Sequence, residues 1–190
     1  MKRTLFAVAL ALVAAPLTLA QSTWKADSAH SEVDFTIRHL SISNVHGRFG
    51  NVQATLNYND TDVTKSTVTA TVDVSSLNTG EPARDTHVKS ADFFDAEHFG
   101  TASFQSTKVE KTSGGLRITG NFTLHGVTKP VVLDVTTSAP IESPMDHKLH
   151  AGFEATTTIQ RTDFGIGTKF PDAIVSDAVK LTIELEVVKQ

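Results

Sequence analysis

Val179-Lys180-Leu181-Thr182-Ile183-Glu184-Leu185-Glu186-Val187 decides the fold, because five apolar residues stand at every second position with polar or charged ones between them. A period of two is that of a β-strand with one face turned to an apolar core. The same alternation recurs towards the N-terminus. Leu149, Ala151, Phe153, Ala155 and Ile159 form one run, Val131, Leu133 and Val135 the next, and Leu116, Ile118, Phe122 and Leu124 another. A weak run centres on Phe104, preceded by Val68, Ala70, Val72 and Val74, by Val52, Ala54, Leu56 and Tyr58, and by Val33, Phe35 and Ile37. Turn chemistry at Asn59-Asp60, Ser113-Gly114-Gly115, Gly126 with Pro130, and Pro140 to Pro144 separates the runs at short intervals, as in antiparallel hairpins.

The chain therefore reads as all-β, with eight strands. Near Gly50 the apolar parity switches from odd (Val45, Phe49) to even (Val52, Ala54), which a bulge or sharp bend explains. Alternation fails for long only between Glu81 and Phe99. There a short helical connection is expected over about residues 83–98, capped by Ser90 and carrying Phe93, Phe94 and Phe99. Eight strands can close as a sandwich or as an up-and-down barrel. Small residues on the inward parity, among them Ala54, Ala70, Gly120, Ala151, Ala155 and Thr157, favour a barrel with a cavity, although periodicity alone admits a filled interior as well.

Residues 1–20 read differently. Lys2 and Arg3 precede a nearly continuous apolar run, Leu5 to Leu19, and Thr18-Leu19-Ala20 leads into polar Gln21-Ser22. This is the pattern of a signal peptide cleaved after Ala20, with residues 21–190 as the exported domain. The run is too short for a membrane anchor, and Pro16 interrupts it. Removing Lys2 and Arg3 takes the formal charge from −4 to −6, since 15 basic residues then face 21 acidic ones, so nothing attracts nucleic acid. With no cysteine, thiol chemistry and disulfides are excluded. The expected compartment is the periplasm.

Eight histidines, His30, His39, His46, His87, His98, His125, His147 and His150, show no metal-binding spacing, so a metal site would have to be assembled by the fold. No Gly-x-Ser-x-Gly elbow accompanies the serines. Arg84-Asp85-Thr86-His87 resembles a catalytic group but equally suits a loop held by its own ion pairs. Arg161 keeps the inward parity of Phe153 and Ile159 and can receive a phosphate or pair with an acid such as Asp85 or Asp95. Phe93, Phe94, Phe99, Phe104, Phe164 and Phe170 surround these loops, a composition suited to an apolar lid or to packing beneath loops.

Trp24 with Asp27-Ser28-Ala29-His30-Ser31, Phe35-x-x-x-His39, Val45-x-Gly47-x-Phe49, Arg84-Asp85-x-His87, Asp92-Phe93-Phe94-Asp95, Phe104 with Ser106, Gly120 to Pro130, and Arg161-x-Asp163-Phe164-Gly165 stand in one order along the chain. Together they resemble the YceI-like family of polyisoprenoid-binding proteins, although Gly100 stands where that family often has a proline. The resemblance implies a lipocalin-like extended eight-stranded antiparallel β-barrel whose hydrophobic tunnel holds a long isoprenoid chain, either a polyprenyl phosphate or a quinone tail. It implies a tunnel lined by Phe35, Ile37, Leu56, Val72, Phe104, Ile118, Phe122, Leu133, Phe153 and Ile183, and a mouth at His39, Arg84, His87, Arg161, Phe94 and Phe164. No catalytic residue, metal or cofactor is expected, and the bound lipid is the only ligand. The alternatives are a broad scavenger of amphiphiles such as fatty-acid derivatives or hydrophobic toxins, an isoprenoid-modifying hydrolase, and a filled barrel that docks a membrane redox protein. The protein is expected to be a monomer or a homodimer that contacts the membrane transiently.

Overall fold

The computed structural model describes residues 21–190; the expected signal peptide lies outside the described residues. In chain order the elements are β1 (Gln21–Ala26), β2 (Glu32–His39), β3 (Ser43–Phe49), β4 (Gln53–Asn59), β5 (Thr67–Asp73), α1 (Pro82–Lys89), β6 (Thr101–Thr112), β7 (Gly115–Leu124), β8 (Val127–Thr137), β9 (Ile141–Glu142), β10 (Leu149–Gln160) and β11 (Ala178–Lys189). Short 3-10 turns lie at Val63–Lys65, Val74–Ser76 and Arg161–Phe164.

These segments close into an antiparallel barrel with eight positions. β11 pairs with β10 on one side and, on the other, with β2 through Lys180 to Glu184 and with β1 through Val187 to Lys189. β1 and β2 thus share one position, split at Asp27 to Ser31. β3 and β4 share the next, β3 pairing with β2 and β4 with β1. β5 follows β4, the long connection that carries α1 leads on to β6, β7 and β8 follow by successive hairpins, and β8 returns to β10. β9 is a two-residue edge on β10. Twelve residues in each of β6, β10 and β11 make these walls about 40 Å long. The expected lipocalin-like eight-stranded barrel is what forms.

Local chemistry accounts for the irregularities in the alternation. At the parity switch, β3 ends and the chain crosses from β2 to β1; the left-handed residue there is Asn51 at φ 55°, while Gly50 has an ordinary φ. Asparagine tolerates this region because its short polar side chain bonds locally. β6 looked weak because Thr107 is an extra residue: Ser106 faces Gly120 but Lys108 already faces Thr119. The bulge turns the inward parity from Ala102, Phe104 and Ser106 to Val109, breaking the sequence pattern while the strand continues. His125-Gly126, with φ 51° and 74°, supplies the two left-handed residues of a tight β7–β8 hairpin.

The helical connection is shorter than expected and differently capped. α1 starts at Pro82, with the Glu81 carboxylate accepting from Ala83 N. Ser90 closes its C-terminus, its backbone N and its Oγ both donating to His87 O at 3.1 and 2.7 Å. A serine hydroxyl can satisfy a terminal carbonyl as well as a terminal N–H, so residue type alone did not fix which end Ser90 occupies. Phe93, Phe94 and Phe99 consequently lie in the turns after the helix.

Two apolar clusters close the barrel. At the α1 end Phe49, Val74, Leu77, Ala102, Leu124, Ile159, Phe164 and Ile166 pack together. Towards the other end Trp24, Ala151 and Val187 form a smaller group with Leu56, Tyr58, Phe153 and Leu185 around it. β1 escaped the alternation because Ser22, one of its two inward residues, is polar; it is buried with its hydroxyl accepting from Trp24 Nε1 at 3.0 Å.

Candidate ligand-binding site

Between the clusters lies a cavity of about 480 Å³. All ten residues placed on its wall from the sequence, Phe35, Ile37, Leu56, Val72, Phe104, Ile118, Phe122, Leu133, Phe153 and Ile183, line it. Each is only half-buried although it points inward, because the space it faces is open. Small residues make that space: Ala70, Ala155 and Thr157 also stand on the wall. Glycine enlarges it further. The Phe35 ring lies against Gly47 and the Phe104 ring against Gly120, so closely that a Cβ at either glycine would collide with the ring. The two rings lie back on the wall instead of standing across the lumen.

At the α1 end exposed His39, Arg84, His87 and Ile174 border the cavity, which therefore reaches the surface there. Ser66 and Thr67, at the β4–β5 connection, mark its other end. Phe94 lines the cavity near the α1 end and packs edge-on to Phe49 at 5.5 Å. His87 lies edge-on to Phe93 and Phe170, which stack on each other at 4.7 Å. Its Nε2 meets Asp92 at 3.3 Å. Lys169 also bonds Asp92, and with His87 it holds that carboxyl below its ordinary value. Arg84 Nε donates to the Thr79 hydroxyl at 2.8 Å, and Asp85 accepts from Thr79 N at 2.7 Å. The bond from the Thr79 hydroxyl to Asp85 keeps the Asp85 carboxyl low. Arg84 and Asp85 thus hold the loop in front of α1, and His87 faces Asp92 and not Asp85.

Arg161 corrects a sequence expectation. It borders the cavity but is only 4% exposed, and it pairs with neither Asp85 nor Asp95. Its Nε donates to Ser176 O at 3.2 Å, Nη1 to Ile166 O and Gly167 O at 2.9 and 2.6 Å, and Nη2 to Phe170 O and Val175 O at 2.5 and 2.9 Å. All five guanidinium donors are engaged by main-chain carbonyls, so the side chain ties down the Gly165 to Ser176 loop and offers no N–H to a phosphate. The periodicity located Arg161 but could not register a backbone partner, since carbonyls carry no residue type. Phe164 also differs from expectation: it is 2% exposed, packs on Phe122 at 5.5 Å, and belongs to the packed cluster at the α1 end without lining the cavity. Phe99 likewise packs on His125, at 4.4 Å. Wall residues that the alternation could not reach come from α1 and the loops: Val88 on α1, and Thr79, Phe93, Phe170, Ile174 and Val175 in loops. Their only sequence signal was the density of phenylalanines.

The YceI-like domain family matches residues 24–187. The chain belongs to the YceI-like family. A UPF0312 protein of Vibrio cholerae is 37% identical over 170 residues, covering 87% of this chain and 89% of that one. The YCEI protein of Campylobacter jejuni superimposes with a TM-score of 0.72 at 32% identity, over 81% of this chain and 90% of its own. A polyisoprenoid binding domain from Saccharophagus degradans shares the fold with a TM-score of 0.62 at 14% identity, over 88% of this chain and 98% of its own. The YceI-like barrel therefore spans nearly all the described residues.

Proposed function

We propose that this YceI-like protein binds the apolar tail of a long-chain isoprenoid amphiphile, of polyprenyl phosphate or quinone type, inside the barrel, and carries or sequesters it in the periplasm without catalysis. The observation that carries this reading is the cavity of about 480 Å³ walled by half-buried Phe, Ile, Leu and Val side chains. A dry apolar lumen stabilises a bound chain by about 0.8 kcal/mol per methylene removed from water. The Saccharophagus degradans domain of the same fold, described as polyisoprenoid-binding, supports the ligand class. Export rests on the signal-like pattern of residues 1–20. The reading requires no metal or cofactor in the lumen.

A second reading, a broad scavenger of amphiphiles, is favoured by Arg161, whose donors are spent on carbonyls. That leaves exposed His39, Arg84 and His87 to meet a head group. Leu40 and Ile42, the latter 76% exposed, stand on the β2–β3 loop beside Ile174, a rim suited to loading at a lipid surface.

The test is native mass spectrometry of protein purified from the periplasm, followed by organic extraction and titration with polyprenyl phosphate, the matching polyprenol and a fatty acid. One polyprenyl species per chain, with tighter binding of the phosphate than of the polyprenol, supports the dedicated carrier. Equal affinity for all three supports the scavenger. An empty protein that takes up none of them overturns both.

A further inference from the structure

The segment Asp27-Ser28-Ala29-His30-Ser31 plays no part in the cavity: none of its residues is on the wall. It lies outside the barrel, where the β1–β2 position breaks over β11. Ser31 has a structural task there, its hydroxyl donating to Glu186 O and accepting from Glu186 N. Asp27 and His30 do something else. His30 Nδ1 lies 2.8 Å from Asp27 Oδ2, and one donor atom each from Asp27, His30 and Glu186 fall within 4.8 Å of one another. Among the described residues no other such grouping of three occurs. The Glu186 carboxylate is held from behind by His150, whose Nδ1 is 2.7 Å from Glu186 Oε1 and whose Nε2 is 3.2 Å from Asp146. Other histidines make simpler pairs: His98 with Asp95 and His87 with Asp92 lack a converging third ligand.

The surroundings attract a cation. His30 and Glu186 border a groove of about 310 Å³ shared with Glu154 and Glu184. In the sheet Glu154 stands opposite Glu184, and Glu184 opposite Glu32, so three carboxylates lie abreast on β10, β11 and β2. Like charges directly opposite destabilise a sheet. Arg48 pairs with Glu32 at the β2 end of this row, and a positive ion at the Glu186 side relieves repulsion at its other end.

We propose that Asp27, His30 and Glu186 form a binding site for a divalent first-row metal ion such as Zn²⁺, with His150 orienting Glu186. One imidazole and two carboxylates, without sulfur, suit Zn²⁺ and its neighbours, with water completing the shell. Zinc bonds of about 2.0–2.2 Å place tetrahedral donors roughly 3.4 Å apart. Rotation of the His30 ring, whose side chain is 66% exposed, would open the 2.8 Å contact with Asp27 and close the wider separations, which lie within 4.8 Å, towards that spacing. The Glu186–His150 contact is the carboxylate-to-imidazole support that ligating groups commonly receive. A bound ion would pin the β1–β2 break to β11 and raise the melting temperature by mass action.

The experiment is titration calorimetry of tag-free protein with ZnCl₂ in a non-coordinating buffer, alongside melting with and without Zn²⁺. One saturable site is expected, weakened at least about 10-fold by His30→Ala and about 10-fold by His150→Gln, and untouched by His98→Ala. Circular dichroism of each variant checks that the barrel is intact. Absence of a saturable site, or affinity unchanged in His30→Ala, overturns the proposal, as does equal loss in His98→Ala, which would mark scattered surface histidines. The site is outside the lumen, so the result is independent of the lipid reading.

Discussion

The cap at the α1 end and the lumen beneath it are made of the same residue types in opposite states. In the cap, Val74, Leu77 and Phe164 are at most 2% exposed, and Arg161 is bound on every donor. In the lumen, Phe35, Ile118 and Ile183 point inward but keep accessible surface. Both regions are apolar, so hydrophobicity does not distinguish them. Packing does. The cap supplies cohesion to a barrel whose centre contributes less than a filled core would, and the lumen keeps apolar surface in reserve for a ligand.

The contrast breaks most severely at Arg161. Arg161→Ala orphans up to five carbonyls, those of Ile166 and Gly167 buried and the others partly so, and should cost about 3–5 kcal/mol in urea unfolding. Phe164→Ala should cost about 3–5 kcal/mol through a cavity in the cap, whereas Ile183→Ala in the lumen should cost only about 1–2 kcal/mol, because part of that side chain's surface was never removed from water and its space is already open. Equal losses at the two positions would mean that the lumen is as tightly packed as the cap.

Ligand uptake sharpens the comparison from the other side. Ala70→Phe fills the lumen without touching the cap, so tail binding should fall at least about 10-fold while stability stays within about 1 kcal/mol. Gly47→Ala, which drives the Phe35 ring off its wall, should weaken uptake in the same titration without adding a ring.

The smallest effect is electrostatic. Burial and Glu154 raise the Glu184 carboxyl in the folded chain above its value in the unfolded chain. A group raised in this way favours folding only below its unfolded value and opposes it as pH rises through the folded one. Glu184→Gln should therefore raise the melting temperature by about 1–2 °C at pH 7, an advantage that disappears below about pH 4. His150, raised by its bonds to Glu186 and Asp146, has the same sign. Its stabilising contribution is complete below pH 6.5 and is lost as pH climbs through the folded value, so His150→Gln should cost more at pH 6 than at pH 9.

Much of the cavity wall was legible because strand walls obey a two-residue period, and the ten inward residues that the resemblance assigned to a tunnel, from Phe35 to Ile183, line the cavity. Legibility stopped where that period did. Thr107 hid the length of β6, polar Ser22 hid β1, and the loops that bring Phe93, Phe170 and Val175 to the opening follow no period at all. Arg161 and Phe164 were placed at the mouth by parity and position; their actual neighbours are backbone carbonyls and a packed cap, which residue identities along the chain do not encode.

By itself the sequence determined an all-β fold of alternating strands, the inward face of each regular strand and the absence of thiol chemistry, because alternation and composition are local properties, whereas the barrel was implied by the family resemblance. Only the tertiary structure decided that the lumen is open, that Arg161 is spent on its loop, and that Asp27, His30 and Glu186 converge outside the barrel. Each of these depends on atoms brought together from strands distant in sequence, which no local pattern records.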